Sequence, residues 1–239
     1  MMKVWVLLLL TTPVAFAIPT PIGHPNKGLL RYGQSLHKLI AGNSEILKSV
    51  SPKEYQFGSA EMARVLLAIG NWAKEFKRAP VWIGDISLKP GGKFAKHITH
   101  QRGLDADIGY LVREHKLEGH RSKKFHARFT EQFGVNGELS ENFDLEANYG
   151  LFKRIVSETT YDALYVGCAI YDALEKRDKT EKVSIMDQIY AQKGHEDHFH
   201  MRIKCPADRL DCSDKWWRDP AKPVTKKSDE KPRAKFRDC

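Results

Sequence analysis

Half of the ten histidines in this 239-residue chain lie in two short segments that also contain carboxylates. Imidazole and carboxylate groups are ligands for divalent metals, and a catalytic zinc site keeps one coordination position open for water. The clustering therefore predicts a hydrolytic metal site built from two histidines and one aspartate. The two segments read His97-Ile-Thr-His100-Gln-Arg-Gly-Leu-Asp105-Ala-Asp107 and His195-Glu-Asp-His198-Phe-His200.

The spacing within each segment suggests how these side chains could meet. Residues two apart in a strand point to the same face, so His198 and His200 would share one face, as would Asp105 and Asp107. Two neighbouring strands would then bring His200 beside Asp107, with His100 entering from the preceding loop. The expected centre is tetrahedral, with two histidines, one aspartate and a water.

Several other catalytic classes lack their motifs. A zincin requires His-Glu-x-x-His on a helix, but Phe199 stands where the second histidine would lie. The chain has no Gly-x-Ser-x-Gly nucleophile elbow, no Walker loop and no Cys-x-x-Cys pair of a zinc finger. A surface or hydrogen-bonded core position would explain one isolated histidine, but not the joint pattern of His100, Asp107 and His200.

The N-terminus has the three parts of a secretory signal peptide. Lys3 gives a short basic start, a brief apolar stretch follows, and residues 15–17 form an Ala-x-Ala exit. We expect residues 1–17 to be removed by cleavage after Ala17, which predicts a periplasmic or secreted protein. No stretch reaches the roughly 18–20 apolar residues that a membrane span needs, so no transmembrane segment is predicted.

Export makes the four cysteines candidates for disulfides. Cys205 and Cys212 flank a turn-like segment and could close a small loop. Cys168 and Cys239 would then be left to join the C-terminal tail to the body. Four cysteines allow three connectivities, so the spacing alone leaves the pairing open.

Helices and strands are predicted without regular alternation, which favours an α+β fold. We expect a single domain with a small, mainly antiparallel central sheet flanked by helices and long loops. Apolar residues recur at intervals of three and four between Ser59 and Arg78, predicting a helix that Pro80 ends. The other predictions are an extended lead-in at 18–27, strands at 81–87, 104–111, 164–170 and 198–203, helices near 151–156 and 171–176, and a polar loop at 116–137.

The net charge of +9 is concentrated towards the C-terminus. Residues 221–239 contain seven Lys or Arg against three acids and few apolar side chains, which predicts a basic, flexible tail after a domain at 18–220. The charge permits a partner rich in carboxylates or phosphates. No nucleic-acid reading motif is present, so we expect no nucleic-acid partner.

The motifs of this chain resemble those of the penicillin-insensitive murein endopeptidases. These are zinc metallopeptidases of a broader group that includes lysostaphin-type enzymes and D-Ala-D-Ala carboxypeptidases. The signature of that group, His-x6-Asp followed by His-x-His, fits His100 to Asp107 and His198 to His200. The resemblance covers roughly residues 20–220 and rests on Gly84-Asp85-Ile86-Ser87, Gly91-Gly92, His97-x-x-His100-Gln-x-Gly-Leu-Asp105-x-Asp107 and His195-x-x-His198-Phe-His200-x-Arg202, followed by Cys205-Pro206.

The resemblance implies one catalytic Zn²⁺ bound by His100, Asp107 and His200. It also implies that His198 is the general base or stabilises the oxyanion. His195 matches a further active-site histidine, which would contact substrate, orient a ligand or assist proton transfer.

Two other residues and one cysteine pair carry weaker implications. His97 also matches an active-site histidine of the family and would have one of the same auxiliary roles or be an extra metal ligand. Asp105 would accept a hydrogen bond from a ligand histidine or serve as a structural carboxylate. The resemblance further implies a Cys205–Cys212 disulfide.

The activity implied by the resemblance is hydrolysis of peptide cross-links in peptidoglycan, of the D-Ala to meso-diaminopimelate type. The nearest alternative is a D,D-carboxypeptidase or dipeptidase on the same scaffold. A zinc-stabilised cell-wall-binding module without catalysis is another, although such a module would not need His195 and His198. A basic nucleic-acid binder has only the net charge in its favour.

Overall fold

The computed structural model describes residues 17–78, 80–94, 97–113, 132–135, 137–216 and 237–239. The helices in these residues are α1 (Leu36–Gly42), α2 (Ala60–Glu75), α3 (Leu145–Glu158) and α4 (Cys168–Asp178). The strands are β1 (Thr20–His24), β2 (Lys27–Arg31), β3 (Gln34–Ser35), β4 (Leu47–Ser49), β5 (Phe57–Gly58), β6 (Val81–Ile83), β7 (Asp105–Gly109), β8 (Gly134–Val135), β9 (Glu138–Leu139), β10 (Tyr161–Val166), β11 (Ile189–Gln192), β12 (His198–Ile203) and β13 (Arg237–Asp238). None of the described helices is long and apolar enough to cross a membrane.

A mixed sheet in the order β13-β11-β10-β12-β7-β6-β4 forms the centre of the molecule. Its middle strands, from β10 through β12 and β7 to β6, are antiparallel neighbours. At the edges, β11 and β13 on one side and β4 on the other join in parallel. The α+β prediction is confirmed, and the antiparallel part of the sheet carries the histidine segments.

The two faces of β12 determine where the polar residues lie. Phe199 is fully buried and packs against Phe152 of α3, with ring centroids 4.9 Å apart. Successive strand residues point to opposite faces. The alternate residues of β12 therefore face away from α3, and these are His198, His200 and Arg202.

Helix α2 forms where the apolar spacing predicts it. The Ser59 hydroxyl accepts a hydrogen bond from the Met62 N–H at 3.1 Å and so caps the first turn. Residues 76–78, which we predicted to be helical, instead form a turn. Lys77 adopts a left-handed φ of 58° there, and the helix stops well before Pro80.

Two strand boundaries differ from the predictions. Strand β10 begins before the predicted range 164–170 and stops short of its end, because Gly167 is the N-cap of α4. Helix α4 consequently begins earlier than predicted. Strand β6 ends at Ile83 rather than Ser87. The Gly84 N–H still bonds the Asp107 carbonyl of β7, but the Ile86 and Ser87 N–H groups bond the Tyr55 carbonyl outside the sheet.

The N-terminal segment is a hairpin, where the sequence indicated only an extended lead-in. Strands β1 and β2 pair with Thr20 opposite Arg31. Gly23 donates its N–H to the Asp211 carbonyl at 2.7 Å and accepts the Ser213 N–H at 2.9 Å. The hairpin is therefore hydrogen-bonded to a loop near the C-terminal end of the domain.

Both disulfides considered from the sequence are present. Cys205 is bonded to Cys212, and Cys168 at the start of α4 is bonded to Cys239. Beside the second disulfide, β13 pairs in parallel with β11, which adds the C-terminus to the sheet edge. Most of the predicted signal peptide, most of the predicted 116–137 loop and tail residues 221–236 lie outside the described residues.

A buried side chain of helix α3 hydrogen-bonds the chain after β7, which gives a test of the fold. The Asn148 amide accepts the Leu111 N–H at 2.9 Å and donates to the Leu111 carbonyl at 2.7 Å. Asn148→Ala would leave the Leu111 N–H unpaired, whereas the Leu111 carbonyl would keep the Asp144 N–H at 3.2 Å. The free energy of unfolding in urea should therefore fall by about 1–3 kcal/mol. Ser157→Ala, at an exposed position of the same helix, is expected to cost no more than about 0.5 kcal/mol. Equal effects would show that this side chain does not hold the two elements together.

Candidate active site

The two histidine segments meet on the polar face of β7 and β12. His200 lies opposite Asp107 in the antiparallel register, and His100 enters from the loop before β7. Nε2 of His100 is 2.9 Å from Nδ1 of His200 and 3.1 Å from Oδ1 of Asp107, and the latter two atoms are 3.2 Å apart. All three side chains are buried. We call them the ligand trio.

Each histidine of the ligand trio uses its other ring nitrogen for a separate hydrogen bond. Nδ1–H of His100 donates to the Ile86 carbonyl at 3.0 Å. Nε2–H of His200 donates to Oδ1 of Asp105, also at 3.0 Å. These acceptors set the tautomers, so that His100 Nε2 and His200 Nδ1 present lone pairs towards the interior of the trio.

This donor set suits a small divalent cation. In a tetrahedral zinc site, bonds of about 2.0–2.1 Å place the ligand atoms about 3.3 Å apart. The three separations in the ligand trio, between 2.9 and 3.2 Å, are close to that value. Two lone-pair nitrogens and one carboxylate oxygen therefore converge at a spacing that could hold the ion.

His97 lies beside the ligand trio and is a competing ligand position. Its donor atom lies within 4.8 Å of those of His100 and Asp107, so these three residues could also hold a metal. However, Nε2 of His97 hydrogen-bonds the Asp85 carboxylate at 2.7 Å and is 4.0 Å from Oδ2 of Asp107. His200 approaches the other two side chains more closely, so the geometry favours His200 over His97 as the third ligand.

The remaining two histidines of the second segment lie beside the ligand trio. His198 donates from Nδ1–H to the Asp197 carboxylate at 2.6 Å, which directs Nε2 to within 3.6 Å of Oδ1 of Asp107. The His195 ring lies 5.2 Å from that of His198. Burial, and after it the neighbouring His198 and His200 side chains, lowers the pKa of His195 to about 4. His195 is therefore uncharged at neutral pH.

Both aspartates of β7 are ionised despite their burial. Burial alone would raise the pKa of Asp105, but the Arg202 guanidinium and the His200 imidazole outweigh it and hold that pKa far below its usual range. The pKa of Asp107 is likewise well below its usual range, because His100 and His198 outweigh the effect of burial. The site therefore has two carboxylates on one face of β7. Asp107 could bind a cation, and Asp105, two residues earlier, accepts hydrogen bonds.

His100 and His200 of the ligand trio line a cleft of about 200 Å³, whereas Asp105, Asp107 and His198 are not among its lining residues. Of the residues that sequence reasoning singled out, His97, His100, His195 and His200 line it. The sequence patterns did not assign the other lining residues to a site. Those residues are Ile98, Thr99, Tyr165, Gln192, Arg202 and Trp216.

The loop that carries His195 is held by contacts that the sequence patterns did not reveal. The Tyr110 hydroxyl donates to the His195 carbonyl at 2.9 Å and accepts the Gly167 N–H at 3.3 Å. A Cβ at Gly167 would lie only 2.9 Å from the same carbonyl oxygen, so this close approach requires glycine. The Phe133 N–H also bonds the Glu196 carbonyl at 2.8 Å.

Comparison with known proteins identifies the family. A family model described as penicillin-insensitive murein endopeptidase matches residues 21–230. The chain belongs to this family. Two curated relatives named penicillin-insensitive murein endopeptidase, from Salmonella paratyphi C and Escherichia coli O9:H4, are 26% identical over 196 and 197 residues. Each alignment covers 73% of this chain and 69% of the relative.

Family membership confirms the resemblance that the histidine motifs indicated. It places the chain among peptidases of the cell wall and makes it a hydrolase. The metal, the bond that is cut and the role of each side chain are not given by membership, so they depend on the geometry of the cleft.

The buried pair of Asp105 and Arg202 gives a prediction for this site. Oδ1 of Asp105 accepts from Nε of Arg202 at 2.8 Å, and neither side chain has appreciable exposure. Asp105→Ala leaves a buried cation without its partner and should lower the free energy of unfolding by about 3–5 kcal/mol. The exposed pair of Glu75 and Arg154 is the control, since Glu75→Ala should cost at most about 1 kcal/mol. Chemical denaturation of both variants measures the difference, and similar losses would contradict the assignment.

Proposed function

We propose that the protein is a zinc-dependent endopeptidase that hydrolyses D-Ala to meso-diaminopimelate cross-links in peptidoglycan. The observation that carries this proposal is the convergence of the ligand trio at 2.9–3.2 Å, beside the oriented His198 and next to a cleft that His100 and His200 line. Membership in the murein endopeptidase family supports the choice of substrate.

In this proposal His100, Asp107 and His200 bind one Zn²⁺. When bound, zinc acts as a Lewis acid and lowers the pKa of a coordinated water to about 7. The chain itself keeps the two imidazoles in the tautomers that binding requires, through the Ile86 carbonyl and the Asp105 carboxylate. Because both acceptors are already in place, little rearrangement of the ligands is needed.

His198 is the proposed general base, or the group that stabilises the oxyanion. The Asp197 carboxylate accepts its Nδ1–H, which leaves the lone pair on Nε2 next to the ligand trio. A histidine oriented by a carboxylate in this way can accept a proton and later return it to the leaving amine. His195, uncharged and held through its backbone by Tyr110, would hydrogen-bond the substrate or assist that transfer.

Asp105 and His97 have supporting roles in this proposal. Asp105 holds His200 in position and is held in turn by Arg202. His97 hydrogen-bonds the Asp85 carboxylate, and the centroid of its ring lies 4.3 Å from that of the His100 ring. We infer that it orients His100 or contacts substrate at the cleft wall, and that it is not one of the ligands.

The place of action also belongs to the proposal. Both disulfides are compatible with an oxidising compartment, and peptidoglycan lies outside the cytoplasmic membrane. We propose that residues 1–17 direct export and that the mature protein is periplasmic or secreted.

Digestion of purified cross-linked muropeptide dimers tests the activity and the third ligand together. The zinc-loaded protein should convert dimers to monomers, and a chelator should stop the reaction. His200→Ala should lower the rate more than about 100-fold, since loss of even an outer partner of a ligand costs about 10–100-fold. His37→Ala, at a histidine that hydrogen-bonds Gln56 away from the cleft lining, should leave the rate unchanged.

Three results would contradict different parts of the proposal. Persistence of dimers with the zinc-loaded protein, together with release of terminal D-Ala from monomers, would identify a D,D-carboxypeptidase. Binding to intact sacculi without any released peptide would identify a non-catalytic module. If His97→Ala bound less than one zinc ion per chain while His200→Ala still bound one, His97 would be the third ligand.

Replacement of His198 separates catalysis from metal binding. His198→Ala should lower kcat by about 10²–10⁴-fold, the usual contribution of a positioned acid–base group. The bound zinc, measured by elemental analysis, should remain at one ion per chain, because the ligand trio is intact. If this variant lost the metal along with the activity, His198 would be a ligand and the proposed division of roles would be wrong.

A further inference from the structure

Among the described residues that line the cleft, Arg202 is the one Arg or Lys side chain. It lies on β12 two residues after His200 and on the same face, and only 2% of it is exposed. Its Nε donates to Oδ1 of Asp105 at 2.8 Å, and the same oxygen accepts from His200 at 3.0 Å. The guanidinium is thus linked to the ligand trio through one carboxylate oxygen.

The outer end of this guanidinium is available to a ligand. Nη1 and Nη2 of Arg202 form no hydrogen bond with the described residues. Neither nitrogen is among the fully buried polar atoms that lack a partner. Each of these nitrogens therefore keeps some exposure, and the Arg202 side chain lines the cleft. A buried cation with unpaired donors at the wall of a cleft calls for an anionic partner.

Two aromatic rings enclose this end of the side chain. The Arg202 Cζ atom is 5.9 Å from the ring of Tyr165 and 5.9 Å from that of Trp216. Tyr165 also contacts the His200 ring, with centroids 5.4 Å apart, whereas Trp216 is 48% exposed at the rim. The two rings border the guanidinium, and an environment of lower polarity than water strengthens a charged hydrogen bond.

We propose that Nη1 and Nη2 of Arg202 bind a substrate carboxylate next to the scissile amide. This inference rests on the proposed function and names the feature of the substrate that the cleft recognises. In the cross-link proposed above, the carbon that bears the scissile nitrogen also bears a free carboxylate of diaminopimelate. Guanidinium and carboxylate groups form paired, parallel hydrogen bonds, and the outer edge of Arg202 presents the donors for such a pair.

A purely structural role for Arg202 is the competing explanation, because the side chain already balances the charge of Asp105. The two explanations differ in what they predict for the substrate. A structural role would lower the turnover of every substrate to the same extent. A carboxylate subsite would matter only when the substrate carries the carboxylate.

The experiment compares two dimers, one with the free diaminopimelate carboxylate and one in which that carboxylate is an amide. The wild-type protein should show a kcat/KM at least about tenfold higher for the free acid, mostly through KM, as expected for a charged hydrogen bond. In Arg202→Gln the two dimers should be cleaved with kcat/KM values within about twofold of each other. Arg154→Gln removes an arginine that pairs with Glu75 and lies 5.8 Å from a Trp72 ring, and should keep the wild-type preference.

The outcomes separate this inference from the proposed function. Cleavage of both dimers with equal kcat/KM by the wild-type protein would overturn the carboxylate subsite while leaving the endopeptidase intact. Cleavage of neither dimer would overturn the proposed function and the subsite with it. The comparison of substrates on the wild-type protein does not depend on the folding of Arg202→Gln.

Discussion

The pairing of β7 with β12 is the constraint on which the candidate site depends. Because side chains alternate along a strand, a slip of one residue would exchange the buried and polar faces of both strands. The register is fixed from the apolar side, where Phe199 lies opposite Ile108 and both are fully buried. The same register brings His200 opposite Asp107, so the packing of the core determines the geometry of the ligand trio.

A second constraint keeps the polar face of these strands stable. Asp105 is fully buried, yet its pKa is far below the usual range because Arg202 and His200 outweigh the cost of burial. A buried carboxylate without such partners would be protonated or would destabilise the fold. One oxygen of Asp105 thus connects the charge of Arg202 to the orientation of His200, and removing either partner would disturb the other.

The convergence of His100, Asp107 and His200 could be predicted from the sequence because it depends on local spacing and on one strand pairing. The alternation of His198 and His200 would also have included Arg202, had it been followed one step further. Tyr110 and Trp216 could not be predicted, because their contacts join residues far apart in the chain. The β1–β2 hairpin was missed for a related reason, since its Pro- and Gly-rich sequence has no clear apolar alternation.

The hairpin matters because it supports the cleft wall that carries Trp216. His24 of the hairpin hydrogen-bonds the carbonyl of Lys215, the residue before Trp216, at 2.8 Å. Behind them the buried Arg102 donates from Nη1 to the Gly23 carbonyl at 3.1 Å and to the Ser213 carbonyl at 2.8 Å. Each element of this wall is weak alone, since a two-stranded hairpin is marginally stable in isolation. Their joint hydrogen bonding is what makes the wall part of the domain.

His100 shows that the fold, and not the local sequence, sets the final position of a side chain at the candidate site. Its φ of 62° lies in the left-handed region, which is unfavourable for a residue with a Cβ. Such a conformation persists only where the surroundings fix it. The Ile86 carbonyl holds one ring nitrogen at 3.0 Å, and the ring of His97 packs 4.3 Å away. The backbone strain is therefore offset by contacts that also direct Nε2 of His100 at His200 and Asp107, so the position of this atom is set by the fold itself.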